Sequence, residues 1–169
     1  MNTARDQLLD WLRNAHAMEV QSEEMLKTHI RRLQHYPRLR DGIVDHLAET
    51  CEQQARLENC LRELGAEPSG LRQFSARFLA LGHGLLQVAS TDEVVKSLVL
   101  TYSFESMEVV VYRTLATAAE VAAQPEVAGM CEEILQQEEA MAQWLREHLP
   151  DIVRQYLVRL ELPGIQAKR

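Results

Sequence analysis

Apolar positions recur every three or four residues along most of the chain, the spacing that lines one face of an α-helix. Residues 3 to about 34 align Leu8, Leu12, Ala15, Leu26, Ile30 and Leu33; residues 39 to 64 align Ile43, Leu47, Leu57, Leu61 and Leu64. A third stripe, over 91 to 123, holds Val94, Leu98, Leu115 and Ala119, and a fourth, over 125 to 149, holds Val127, Cys131, Ile134, Leu135, Ala142, Leu145 and Leu149. Each predicts an amphipathic helix. The breaks fall where backbone chemistry asks for them: His35-Tyr36-Pro37, Gly65 with Pro68 beyond it, and Gln124-Pro125 with proline set for a first helical position. Ser90-Thr91-Asp92-Glu93 has the form of a capping box for the third helix. Residues 66 to 90 predict a crossover containing short helix, and Ile152, Val153, Tyr156 and Leu160 predict a short fifth helix over 151 to 161, separated from the fourth by Pro150. The expectation is an all-α antiparallel four-helix bundle forming a single domain over 1–169, with a long crossover between its second and third helices.

Several carboxylates interrupt these stripes. Glu138 stands at the centre of the fourth, with Cys131, Ala142 and Leu149 within about 40° of it at helical spacing. Glu19 lies in the middle of the first, while Glu105, Glu108 and Tyr112 share the inner face of the third. Glu49 falls on the flank of the second, about 90° from its apolar centre, whereas His46 is about 30° from it. An isolated ionised carboxylate survives burial only when it is protonated, paired or bound to a metal.

The two halves of the chain echo each other. Met18-Glu19-Val20 matches Met107-Glu108-Val109, and Glu49 stands to Glu19 as Glu138 stands to Glu108. In two antiparallel hairpins those positions lie at one height, so Glu19, Glu49, Glu108 and Glu138 are expected to meet in the core. Four carboxylates neutralise two divalent cations, and hard or borderline ions take carboxylate oxygens. Those four glutamates are the candidate ligands, Glu105 and His46 are further candidates, and Tyr112 would hydrogen-bond a ligand carboxylate. Glu52 points some 150° from the second stripe, which sets it behind His46.

His46-x-x-Glu49-Thr50-x-x-Gln53-x-x-Arg56-Leu57-Glu58 followed by Leu64-Gly65, then Glu105-x-x-Glu108 with Tyr112, Thr114 and Leu115, then Glu138-Glu139, resembles the YciE/YciF family of ferritin-like bacterial stress proteins. The resemblance covers Leu9 to about Leu149. It implies a ferritin-like fold, two divalent metal ions (iron, or alternatively manganese), a ferroxidase-like oxidoreductase acting in Fe(II) oxidation or peroxide handling under stress, and a homodimer. The chain also departs from the ferritin-like pattern. Three residues beyond the glutamates of the second and fourth helices, where a histidine is usual, stand Glu52 and Met141, and Ala142 replaces an expected acidic residue. Those departures leave the second metal position short of ligands. They keep an alternative open: a non-catalytic bundle with a degenerate site and no metal, serving as a dimeric interaction module.

Composition narrows the classes further. Only seven Gly, five Pro and 5% aromatics accompany a 46% hydrophobic content, which favours helix throughout a soluble domain. A net charge of −7 argues against general nucleic-acid binding, despite the local cluster of Arg31, Arg32, His35, Arg38 and Arg40. Without an apolar N-terminal run or a long uninterrupted apolar stretch, neither a signal peptide nor a membrane span is expected, and the expected compartment is the cytoplasm. Cys51, Cys60 and Cys131 form no CxxC pair and are expected to be reduced.

Overall fold

A computed structural model of the chain describes residues 3–68 and 93–162. Four helices account for nearly all of them: α1 (Ala4–Arg32), α2 (Pro37–Glu63), α3 (Glu93–Val121) and α4 (Pro125–Glu161). The local signals for their ends are concrete. Thr3 caps α1 in a reciprocal capping box with Asp6. Pro37 and Pro125 open α2 and α4, where a missing N–H costs nothing. Gly65 leaves α2 at φ 74°, a left-handed conformation that glycine adopts without strain. Ala123 turns the chain between α3 and α4 at φ 54° and must bear the Cβ crowding that glycine would avoid.

Each helix packs against two neighbours, α1 on α2 and α3, and α4 on α2 and α3; the backbones of the diagonal pairs lie farther apart, and α2 reaches α3 through side chains at the centre of the bundle. Cross-helix contacts give the directions. Glu19 meets Tyr112 while His29 meets Thr101, and Gln53 meets Glu138 while Arg56 meets Glu133, so every neighbouring pair is antiparallel. The end of α2 lies beside the start of α1, where Arg5 donates to the Leu64 carbonyl, whereas Val94 at the start of α3 packs with Leu33 and Tyr36 at the opposite end. The crossover expected over 66–90 lies, apart from its first residues, outside the described residues, as does the capping box at 90–92.

The expected fifth helix is corrected. Pro150 does not end α4, which continues as one helix to Glu161. Proline deprives a helix of one hydrogen bond and crowds the preceding turn, at about 3 kcal/mol. Here Ile152 and Tyr156, both buried, continue the face of Leu145 into the cluster with Leu33, Tyr36 and Leu39, and that burial offsets the defect.

The interior is divided. One apolar cluster contains Leu8, Leu12, Leu57, Leu61, Leu115, Ile134 and Leu135, and a second contains Leu26, Leu33, Leu39, Ile43, Leu98, Met141 and Leu145. Along every helix the two are separated by buried polar residues: Glu19 and Ser22 on α1, His46, Thr50 and Gln53 on α2, Thr101, Glu105 and Glu108 on α3, and Glu138 on α4.

Candidate metal centre

In that polar layer Glu105, Glu108 and Glu138 are fully buried at 0% exposure, and Glu19 is at 1%. All four sit where helical spacing carries an apolar stripe through the core, so the helices cannot bury their leucines without burying these carboxylates too. The second helix contributes differently. Its inward face runs Ile43, His46, Thr50, Gln53, Leu57, and Glu49 lies beside that line with 46% of its side chain exposed. Glu52 is exposed. The carboxylates that meet in the core are therefore Glu19, Glu105, Glu108 and Glu138, with Glu105 in the place expected for Glu49. Glu49 instead reaches His46 from outside.

His46 is the hub. Its Nδ1 lies 3.0 Å from Glu49 Oε2, and its Nε2 lies 2.9 Å from Glu105 Oε2 and 3.6 Å from Glu138 Oε2. A proton on Nδ1, donated to Glu49, leaves the Nε2 lone pair facing the two buried carboxylates; this is the carboxylate–histidine arrangement that orients a metal-binding imidazole. Burial pulls the His46 pKa down, but Glu105 and Glu49, with Glu138 behind them, outweigh it and hold the imidazole well above its ordinary value.

Two further side chains fix carboxylate positions. Tyr112, fully buried, donates its hydroxyl to Glu19 Oε1 at 2.5 Å. Gln53, at 1% exposure, donates its amide to Glu138 Oε1 at 2.6 Å and to Gln137 Oε1 at 3.0 Å. The charges remain costly. Burial, only partly opposed by the Tyr112 hydrogen bond and reinforced by Glu105, lifts the Glu19 pKa to about 8. Burial and then neighbouring Glu19 raise Glu108 and Glu138 well above the carboxylate range.

The donor set fits a cation. His46 Nε2, Gln53 Oε1, both oxygens of Glu105, both of Glu108 and Glu138 Oε2 are buried and make no well-aligned hydrogen bond, although His46 Nε2 and Glu105 Oε2 stand within ion-pair distance of each other; Ser22 Oγ and Arg159 Nε are the other such atoms among the described residues. Leaving one such group unpaired costs about 1–3 kcal/mol, and more when it is charged. His46, Glu105 and Glu138 each offer an atom within 4.8 Å of the others. Ligands about 2.0–2.2 Å from a common ion stand about 3.0–3.6 Å apart at octahedral or tetrahedral angles, close to the separations between His46 Nε2 and the two carboxylates.

Residues 3–158 match the family described as a domain of unknown function, DUF892. The chain belongs to the DUF892 family. Its resemblance to the YciE/YciF proteins is supported by that family match and by similar solved structures. It is similar to a Xanthomonas campestris protein, at 37% identity and TM-score 0.81, over 95% of this chain and 100% of that one. A Rhodopseudomonas palustris protein, YcfI, described as a putative structural protein, matches at 25% identity and TM-score 0.73 over 86% and 94% of the two chains. The E. coli stress protein YciF shares the fold at 21% identity and TM-score 0.77, covering 91% of this chain and 99% of its own. A Bacillus anthracis protein described as ferritin-like and diiron-carboxylate shares it at 15% identity and TM-score 0.72, covering 88% and 99%. This DUF892 chain is thus a ferritin-like helical bundle.

Sequence reasoning passed over Gln53 as a functional residue, although it follows His46 and Thr50 at inward spacing. It also passed over His29, buried with its Nδ1 2.8 Å from Thr101 Oγ.

Proposed function

We propose that this chain is a di-metal carboxylate protein that binds two divalent ions, iron in the first place, in the polar layer of its bundle and uses them in Fe(II) oxidation or peroxide handling. The observation that carries the reading is the convergence of buried donor atoms on His46, Glu105 and Glu138, with the two oxygens of Glu108 buried and unbonded beside them. His46, Glu105 and Glu138 would hold one ion, and Glu19 and Glu108, with Glu138 between the two groups, would hold the other. Bound iron supplies one-electron redox chemistry at coordination positions left open by the protein. The chain's own residues prepare that place. Glu49 sets the His46 tautomer, Gln53 ties one oxygen of Glu138 and leaves the other free, Tyr112 anchors Glu19, and the apolar clusters on either side exclude water. The stress-protein and diiron-carboxylate descriptions of relatives that share the fold support the same reading.

Metal analysis after purification without chelator, followed by Fe(II) oxidation assays of the reloaded protein, tests it. About two equivalents of bound metal and oxidation faster than in buffer are expected; protein that neither contains nor takes up metal would end the proposal.

One observation favours the alternative, a metal-free interaction module. A protonated His46 between Glu105 and Glu138 would itself act as counter-charge, and its raised pKa permits that at neutral pH. For either reading we propose a homodimer. The outward face of α3 carries exposed Val99, Val110 and Val121, and the hydroxyls along it, Ser103, Ser106, Thr114 and Thr117, are bonded to carbonyls of their own helix. That face therefore offers little to water.

No described helix is long and apolar enough to cross a membrane. A cytoplasmic location is part of the proposal, and so is the absence of nucleic-acid partners, which the net charge of −7 supports.

A further inference from the structure

Away from the polar layer, two thiols meet in the apolar cluster of Leu57, Leu61, Ile134 and Leu135. Cys60 on α2 is 7% exposed and Cys131 on α4 is 0% exposed. The register of the two helices sets them against each other. Gln53 on α2 bonds Glu138 on α4 at 2.6 Å, so those positions face each other across the antiparallel pair. Cys60 stands seven residues beyond Gln53 and Cys131 seven residues before Glu138. Seven residues are two helical turns with a drift of only about 20°, so the same two faces meet again at the cysteines. Between these levels the Arg56–Glu133 ion pair bridges the same two helices. The charges agree with the register: after burial, Cys60 acts on the Cys131 thiol more strongly than Arg56 or Glu132 does.

We propose that Cys60 and Cys131 form an oxidisable dithiol, which a small uncharged hydroperoxide such as hydrogen peroxide converts to an intramolecular disulfide joining α2 to α4. The reaction goes beyond the metal reading and does not depend on it. Cys60, the less deeply buried of the two, attacks first. Its thiolate sulfur takes one peroxide oxygen as the O–O bond breaks, giving a sulfenic acid and a hydroxide that leaves as water with the proton Cys60 released. The Cys131 sulfur then attacks the Cys60 sulfur, the S–O bond breaks, and a second water departs with the Cys131 proton. Two thiols and one peroxide become one disulfide and two waters; the sulfurs lose the two electrons that the peroxide gains. Burial selects the oxidant, because a bulky, charged disulfide has no route to Cys131. It also selects the product, since a thiolate-bound cation would leave charge among leucines and isoleucine, whereas a disulfide is neutral. The same burial raises the Cys60 thiol to about 11 and the Cys131 thiol to about 12. Few thiolates therefore exist at neutral pH, and the pair stays reduced until peroxide is abundant.

The test uses the full-length protein with chelator present throughout, so that no bound metal takes part. Samples are treated with excess hydrogen peroxide or with oxidised glutathione, then unfolded, alkylated and mapped by peptide mass spectrometry. Hydrogen peroxide should join the peptides carrying Cys60 and Cys131 with the loss of two hydrogens, whereas oxidised glutathione should modify only Cys51, which is exposed. Thermal melts read the same bond: the peroxide-treated protein should unfold about 5–15 °C higher than the reduced protein, and a thiol reductant should reverse the shift. Cys60→Ser and Cys131→Ser should lose both the cross-link and the shift, while Cys51→Ser keeps both. Circular dichroism establishes that each variant is folded, and alanine replaces serine where it is not. Cys60 and Cys131 left as free thiols, Cys60 oxidised further without a cross-link, or either of them joined to Cys51 would overturn the proposal.

Discussion

Without bound metal this protein should show an unusual dependence on pH, and Glu19 sets its scale. An ordinary glutamate titrates near 4.5, whereas Glu19 is raised to about 8 by burial. The folded state therefore holds this proton more tightly than the unfolded chain does. Its stabilising contribution is complete below pH about 4.5 and is lost as pH rises to about 8, about 5 kcal/mol in all at 1.36 kcal/mol per unit. Glu108 and Glu138 are shifted in the same direction, and so is His46, whose folded-state pKa lies above its unfolded value. His29 acts on the acid side. Burial, helped by Arg32, lowers it to about 4 from 6.5, so its contribution of about 3 kcal/mol is present above pH 6.5 and lost as pH falls toward 4. Between pH 6.5 and 8 the raised groups govern, and Glu19 alone accounts for about 2 kcal/mol of lost stability. Urea unfolding of chelator-treated protein across this interval should show a midpoint that falls as pH rises. With Mn(II) or Fe(II) the trend should reverse, because deprotonated ligands bind metal more tightly. A metal-free midpoint that is constant or rises from pH 6.5 to 8 would refute this account of the buried carboxylates.

Mn(II) at one hundred times its dissociation constant should add about 2.7 kcal/mol, or about 5–10 °C in Tm, and Glu138→Gln should remove most of that gain in a thermal melt. Gly42→Ala should destabilise the protein by about 1–3 kcal/mol in urea unfolding, since a Cβ there would stand 2.5 Å from the Trp144 ring. Ala123→Gly should stabilise it by about 0.5–1 kcal/mol by relieving the left-handed conformation of that turn, measured the same way. Size-exclusion chromatography with light scattering should give a dimer, and Val110→Glu should shift it toward monomer; an unchanged elution would remove α3 as the interface.

Much of this protein was legible in its residue order. Helical spacing of leucines, the proline and glycine punctuation, and the presence of Glu19, Glu108 and Glu138 on apolar stripes are local facts, and a helix transmits them directly to three dimensions because its angular period is fixed. The same period put His46 nearer the core than Glu52, as the structure has it. Two matters were decided only by packing. Pro150 reads as a helix end, yet α4 passes through it because Ile152 and Tyr156 find a cluster to fill, and that reward exists only once Leu33, Tyr36 and Leu39 are in place. The position of Glu49 shows the same limit. Its correspondence to Glu138 in the repeated pattern suggested a core carboxylate, but the rotation of α2 is set by the line Ile43, His46, Thr50, Gln53, Leu57 meeting its neighbours, which leaves Glu49 at the edge, holding His46. A helix's sequence specifies which residues share a face; how far that face turns, and so which flanking charge reaches the interior, is chosen by the combined burial of all four helices.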